Sequence, residues 1–306
     1  MSAVDGSPSF RPRTIGDALA QATEQLHVTS PTARLDAEVL LAHVTSRDRA
    51  WVLAHPEAVI EPEAVGGLRA ALERRVAGEP IAYIRGFKDW HSLRIQTDSR
   101  ALIPRPETEL LADATTAEIA ERLTRDGLPI VVWEVATGSG AVAVALAIRF
   151  RSALALGRLA LIASDASEDA LELAAENLAA HAVSGLTTLA CADLLDTAGR
   201  SLPRPDVVVA NLPYVASAEV DARQGSLGYE PRIALDGGPD GLALLRRLLA
   251  ELPTRVAPDA TVLLEIGVGQ AGAIATLAPS GASVSIVPDL AGLDRVVRIA
   301  MPGSRP

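Results

Sequence analysis

The 306-residue chain is short of several things, and each shortage closes off a class of protein. It has one cysteine, Cys191, so it supports neither a disulfide framework nor a Cys-rich zinc site. Aromatic residues make up only 3%, and the core must be packed from Ala, Val, Leu and Ile. No stretch of about 18 apolar residues runs free of charges and breakers, which removes a membrane-spanning helix. Lys and Arg number 28 against 38 Asp and Glu, a net charge of −10. A broad surface that tracks a nucleic-acid backbone needs positive charge, so direct nucleic-acid binding is not expected. His27, His43, His55, His91 and His181 form no H-x-x-x-H pair, and no metal site is expected. The opening residues, MSAVDGSPSFRPR, lack the apolar core of a signal peptide and read as a frayed tail. What remains, 49% hydrophobic and 22% charged, is a globular composition. A soluble, cytoplasmic monomer is expected.

Three parts follow one another. Residues 14–79 carry helical patterning: Leu35, Val39 and Leu40 recur at helical spacing, and Leu68, Leu72 and Val76 mark a helix over 63–76 that stops at Gly78. Residues 80–103 alternate, with Ile81, Tyr83, Leu93 and Ile95 around a polar turn, and predict a β-hairpin linker. LIPRPETELL (102–111) leads into residues 104–303; Pro104 and Pro106 force an extended approach and Glu107 or Thr108 starts a helix. From Pro129 strands and helices alternate. Seven strand segments, 129–136, 158–166, 187–193, 205–214, 260–267, SVSIVPD and RVVRIAM, imply a Rossmann-like, doubly wound α/β sheet.

Three motifs carry chemistry. EVATGSGAVAVALA (134–147) places Gly138, Ser139 and Gly140 between a strand and a helix, where small residues and free N–H groups admit a polar ligand. A glycine-requiring βα turn accounts for it equally. There is no G-x-x-x-x-G-K-[ST] and no G-x-S-x-G elbow, so neither a phosphate-loop NTPase nor a hydrolase triad is supported. Asp165, ending the second strand of this part, suits the two ribose hydroxyls of an adenosine-containing cofactor; it suits capping of the helix after Ser167 as well. Nicotinamide, flavin and S-adenosylmethionine all satisfy this much. Asn211-Leu212-Pro213-Tyr214 ends the fourth strand, in the crevice where such sheets bind ligands. The Asn211 side-chain oxygen and the Leu212 carbonyl can accept from one planar NH2 group. They would draw density onto a poorly nucleophilic amide nitrogen and align it for displacement, with Tyr214 as a flat wall. A plain turn after a strand is the simpler account of the tetrapeptide alone. A nicotinamide oxidoreductase gives these four residues no role.

The tetrapeptide resembles the [ND]-x-P-Y motif of amino-directed methyltransferases. More of the chain resembles the release-factor glutamine methyltransferases (HemK/PrmC family). The carriers are DAEVLLAHV, WVLAHPE, RRVAGEPIAYIRG, LIPRPETELL, ATGSGAVAVALA, NLPYVASAEVD, YEPRIALDGGPDGL and LLEIGVGQ, in order over nearly all of residues 34–300. The resemblance implies a small N-terminal all-helical domain, a hairpin linker and a class I methyltransferase sheet. It implies methyl transfer from S-adenosyl-L-methionine to the side-chain amide nitrogen (N5) of the Gln in the Gly-Gly-Gln loop of bacterial peptide chain release factors. By that resemblance Ala136, Thr137, Gly138, Ser139 and Gly140 bind the methionine part of the cofactor, Asp165 the ribose, and Asp193 and Leu194 flank the adenine. Asn211, Leu212, Pro213 and Tyr214 hold the target amide, with Asn211 also bordering the cofactor, and Arg105, Glu107 and Thr108 lie near the mouth. Glu134, Ala136 and Leu212 stand where the family usually has Asp, Gly and Pro. If position 136 needs positive φ, Ala there is strained by roughly 1 kcal/mol. Two other readings share the motifs. One is an N6-adenine or other exocyclic-amine methyltransferase acting on nucleic acid. The other is a diverged cofactor-binding paralogue, inactive or directed to a different protein Gln.

Overall fold

The structure is a computed structural model that describes residues 10–125, 127, 129–199, 201–223 and 225–303. The first helix begins at a reciprocal cap: Thr14 accepts from the Asp17 N–H, and Asp17 accepts from the Thr14 N–H. Five helices follow one another: α1 (Ile15–Leu26), α2 (Ala33–Val44), α3 (Arg49–Ala54), α4 (Pro62–Val76) and α5 (Ile81–Arg85). Ile15, Leu19, Leu26, Leu40, Leu41, Val52, Leu68 and Leu72 form their core. These helices and the short turn Gly225–Tyr229 make one compact unit, ending at Gly86. Tyr229 Oη donates to the Ala77 carbonyl at 2.9 Å and Arg75 Nη1 to Ser226 Oγ at 3.0 Å.

The two helices expected here form as α2 and α4, and two other expectations, for residues 80–86 and for the tail, change. Leu35 is exposed and Val39 only half-buried, because α2 turns Ala37, Leu40 and Leu41 inward and beside them buries two acids. Asp36 accepts from Arg75 Nε, and Glu38 from Arg34 and Arg49. Val76 is exposed at the last turn of α4, while Leu68 and Leu72 are buried. Ile81 and Tyr83 are helical, not strand: Pro80 presets the entry to α5 and Gly86, at φ +76°, ends it. Of the tail, residues 1–9 lie outside the described part, and Phe10 is no frayed residue, since it packs into the helical core.

The second unit starts at Phe87. It opens with the hairpin β1 (Phe87–Trp90) and β2 (Leu93–Gln96), then α6 (Glu107–Arg125). Next come β3 (Ile130–Val135), α7 (Ala141–Arg149), α8 (Arg151–Ala155), β4 (Leu159–Asp165), α9 (Glu168–Ala180), β5 (Thr187–Cys191) and β6 (Val207–Ala210). The chain ends through α10 (Ser217–Asp221), α11 (Ala243–Arg255), β7 (Thr261–Glu265), α12 (Ala271–Leu277), β8 (Ser283–Pro288) and β9 (Asp294–Ala300). The hairpin thus groups with the sheet, and residues 80–86 with the helices. The seven-stranded sheet has the order β5-β4-β3-β6-β7-β9-β8, all parallel except β9, which runs antiparallel to both neighbours.

Both faces of the sheet are covered, as apolar runs such as Val207–Ala210 require. Val207 and Val209 join the core under α6, α7 and α9. Val208 and Ala210 join the core under α11 and α12. No helix among the described residues is long and apolar enough to cross a membrane.

One buried polar cluster ties α6 to the sheet. Glu118 accepts from Arg122 Nε at 2.8 Å, Thr261 Oγ1 at 2.7 Å and Arg298 Nη2 at 2.8 Å. Burial pushes its carboxyl up, but these donors outweigh it and hold it below the usual range. Arg122 is 3% exposed, and removing it leaves a buried carboxylate short of its partner. Arg122→Met is expected to lower unfolding free energy by about 3 kcal/mol, read by urea denaturation. A loss under about 1 kcal/mol would show that Arg298 alone suffices.

Candidate active site

β3, β4, β5 and β6 pair so that Val135 faces Ser164 and Ala210, and Asp165 faces Cys191. Their carboxyl ends therefore stop along one line, and the loops that leave them enclose a cavity of about 410 Å³. That is within the range of small-molecule sites.

The loop after β3 is held from three sides. The Thr137 N–H donates to the Ser164 carbonyl at 2.8 Å, and the Gly138 N–H to Asp165 Oδ2 at 2.9 Å. Asn177 Nδ2 donates to the Ser139 carbonyl at 2.9 Å. Gly140, at φ +77°, starts α7, and a Cβ there would come within 3.0 Å of the Ala174 side chain. Glycine is needed for the close approach of α7 and α9. Ala136 has φ +57°, the left-handed conformation that the sequence had flagged as a source of strain. Asp165 closes the loop from β4, its Oδ1 accepting from the Ser167 N–H at 2.9 Å. Ser167, not Asp165, caps α9, its Oγ accepting from the Ala170 N–H, and Asp165 lines the cavity. Burial raises its carboxyl above the usual range.

Glu134 is a cavity residue that motif reading noticed only as a departure. It is 5% exposed, and its Oε2 has no hydrogen-bond partner. Burial, with Asp165 nearby, pushes it up to about 8.

On the far side, Asn211 Nδ2 donates to Thr108 Oγ1 at 3.1 Å. Thr108 is buried in the first turn of α6. With its NH2 group given to Thr108, Asn211 offers Oδ1 as its acceptor. Leu212 sends its side chain into the α11 core while lining the cavity. Behind this segment lies the loop of YEPRIALDGGPDGL: the Gly237 N–H donates to the Val215 carbonyl at 2.8 Å, and a Cβ on Gly237 would sit 2.6 Å from the Pro213 oxygen. The loop buttresses the tetrapeptide.

Ala136, Thr137, Gly138, Ser139, Asp165, Asp193, Leu194, Asn211, Leu212, Pro213, Arg105 and Thr108 all line the cavity. Gly140, Glu107 and Tyr214 stand outside its lining. Gly140 acts through helix packing. Tyr214 is half-buried against Gly267, and its phenol is pushed up to about 12 by burial and by the Glu265 charge. Asp193 pairs with Arg247 at 2.7 Å.

Glu230 was missed altogether. It is 2% exposed and accepts from the Ile103 N–H at 3.0 Å and from Arg105 Nη2 at 2.5 Å. The motifs IPRPETE and YEPR are thus joined by one ion pair whose carboxylate is buried and whose guanidinium is half-buried. Their position as two long motifs far apart in sequence was the only signal, and it does not reveal the pairing.

Residues 17–86 match the family model of the PrmC N-terminal domain. The sheet order, with one antiparallel strand beside the edge, is that of class I methyltransferases, and the chain is a methyltransferase. The chain is 37% identical to a release factor glutamine methyltransferase of Neisseria gonorrhoeae, over 87% of this chain and 93% of that one. It is 36% identical to the protein of that name from Moorella thermoacetica, over 92% and 96%, and 35% identical to that of Coxiella burnetii, over 93% and 98%. The chain belongs to the release factor glutamine methyltransferase family.

The raised carboxyls of Glu134 and Asp165 make the ligand-free protein pH-sensitive. A group raised on folding stabilises most below its unfolded value and loses that contribution as pH rises through the folded one. The melting temperature of ligand-free protein is expected to fall between pH 4.5 and about 8, and Glu134→Gln to flatten that fall. An unchanged slope in the variant would place the titration elsewhere. Ala136→Gly relieves the left-handed strain and is expected to gain up to about 1 kcal/mol in the same assay.

Proposed function

We propose that the protein transfers the methyl group of S-adenosyl-L-methionine to the amide N5 of the Gln in the Gly-Gly-Gln loop of bacterial peptide chain release factors. The observation that carries this reading is the orientation of Asn211, whose NH2 is held by Thr108 so that Oδ1 is its remaining acceptor. A planar amide NH2 is the group such an acceptor selects, with the Leu212 carbonyl as the second. The names of the relatives support the same substrate.

The residues present fit the cofactor. The unpartnered Glu134 Oε2 suits the ammonium of its methionine part, and a cation there would return Glu134 to its ionised form. Asp165 keeps lone pairs for ribose hydroxyls, although both oxygens already accept backbone N–H groups. Leu194 and Ala192 offer apolar walls beside Asp193 for a flat ring. When bound, the cofactor supplies a methyl carbon on a positively charged sulfur.

The chain's own contribution is placement. Asn211 and the Leu212 carbonyl accept from the two amide hydrogens, so nitrogen lone-pair density is directed at the electrophile. No strong base is needed before the transition state, because the proton becomes acidic as nitrogen gains positive charge. Leu212 supplies the carbonyl without the φ restraint of proline, and its buried side chain takes over the anchoring.

The test is methylation of a purified bacterial release factor with the cofactor, mapped by peptide mass spectrometry. Modification confined to the Gly-Gly-Gln glutamine is expected. An unmodified glutamine in the presence of bound cofactor would refute the substrate. Asn211→Ala is expected to lower kcat by about 100-fold or more while cofactor affinity, measured by calorimetry, changes little.

A further inference from the structure

Asn211 is turned by a neighbour, and that neighbour needs one of its own. A Thr108 hydroxyl that accepts from Asn211 must send its proton elsewhere. Glu265, the last residue of β7, follows Leu264, which pairs with Ala210, so it stands beside Asn211, and Thr108 is close enough to act on its carboxyl. It is 1% exposed, and its Oε2 has no hydrogen-bond partner. Glu265 is outside the cavity lining, so it acts only through the residues in front of it. The charged and titratable groups facing it are Glu107 on α6, Tyr214 after β6 and Arg295 on β9.

We propose that Glu265 is a positioning residue whose ionised form takes the Thr108 hydroxyl proton and the Asn211 NH2 as donors, locking Asn211 Oδ1 toward the glutamine amide. The proposal rests on the acceptor role given to Asn211 above. A carboxylate offers only acceptors, so both neighbours must donate to it and the Asn211 amide has one orientation left. A protonated carboxyl also donates, and the amide can then turn its NH2 toward the substrate, where two donors repel. Burial, with Glu107 adding to it and Arg295 opposing, raises Glu265 to about 7. The switch between the two arrangements therefore falls within the ordinary assay range.

The experiment measures kcat against pH, with cofactor and release factor both saturating, for the wild type, Glu265→Gln, Thr108→Val and Thr108→Ser. Cofactor binding is followed by calorimetry and folding by thermal melting. Wild-type kcat is expected to rise through about pH 7. Glu265→Gln is expected to lose that limb and about 10- to 100-fold in kcat, with cofactor affinity within about twofold of wild type. Thr108→Val should lose a similar factor, and Thr108→Ser should recover part of it because the hydroxyl is restored. A Glu265→Gln variant that keeps the wild-type rate and pH limb overturns the inference alone. So does one whose cofactor affinity and melting temperature fall in step with kcat, which marks a structural role. A wild type that leaves the glutamine unmodified overturns the functional reading as well.

Discussion

The cavity exists because parallel strands stop together while their loops part. β3 pairs with β4 on one side and β6 on the other, so the chain order reverses direction between β3 and β6. Loops that leave such a pair run to opposite faces of the sheet, and a crevice opens between them. The register fixes what borders it. Val135 lies beside Ala210, so the next residues, Ala136 and Asn211, start from the same height. Sliding one strand by a residue would exchange the two sheet faces. Val207 and Val209 would then lose their core under α6, and Asn211 its Thr108.

Much of this arrangement was written in the chain in readable form. The strand and helix alternation has a fixed period and short loops, and Ser167 and Gly140 sit at helix starts where local chemistry places them. Asp165 and Asn211 follow apolar runs directly, so their place at strand ends needs no long-range information. The errors have a different character. Ile81 and Tyr83 sit in too short a stretch to show its period, and Pro80 with Gly86 decided it. Leu35 lies in the helix it marks yet stays exposed, because α2 buries Asp36 and Glu38, which an apolar count treats as surface. Glu230 and Glu265 are ordinary acids until the fold brings Arg105 or Thr108 to them. That information is long-range and no local pattern encodes it.

The buried acids separate by partner. Glu118 and Glu230 are matched by guanidinium groups, Arg122 and Arg105, and they fasten α6 and the 102–106 segment. Glu134 and Glu265 are as deeply buried, but each keeps an oxygen without a hydrogen-bond partner. Nothing in fold stability favours an unmatched buried carboxyl, since desolvation opposes its charge. Such groups persist where something outside the fold completes them, or where their two protonation states do different work.

Glu134 and Glu265 illustrate these two cases, the first lining the cavity and the second behind its wall. Glu134 lies on the side of the glycine loop, where a bound cation would supply the missing counter-charge. Glu265 lies behind Thr108 and Asn211, where no ligand reaches, and its charge is spent on the direction of a neutral amide. An asparagine alone is a weak director, because its two ends are nearly the same size and exchange by a simple rotation. Backing it with a hydroxyl and a carboxylate makes the two ends inequivalent. The neighbours thereby turn a turn-forming residue at a strand end into an acceptor of fixed direction.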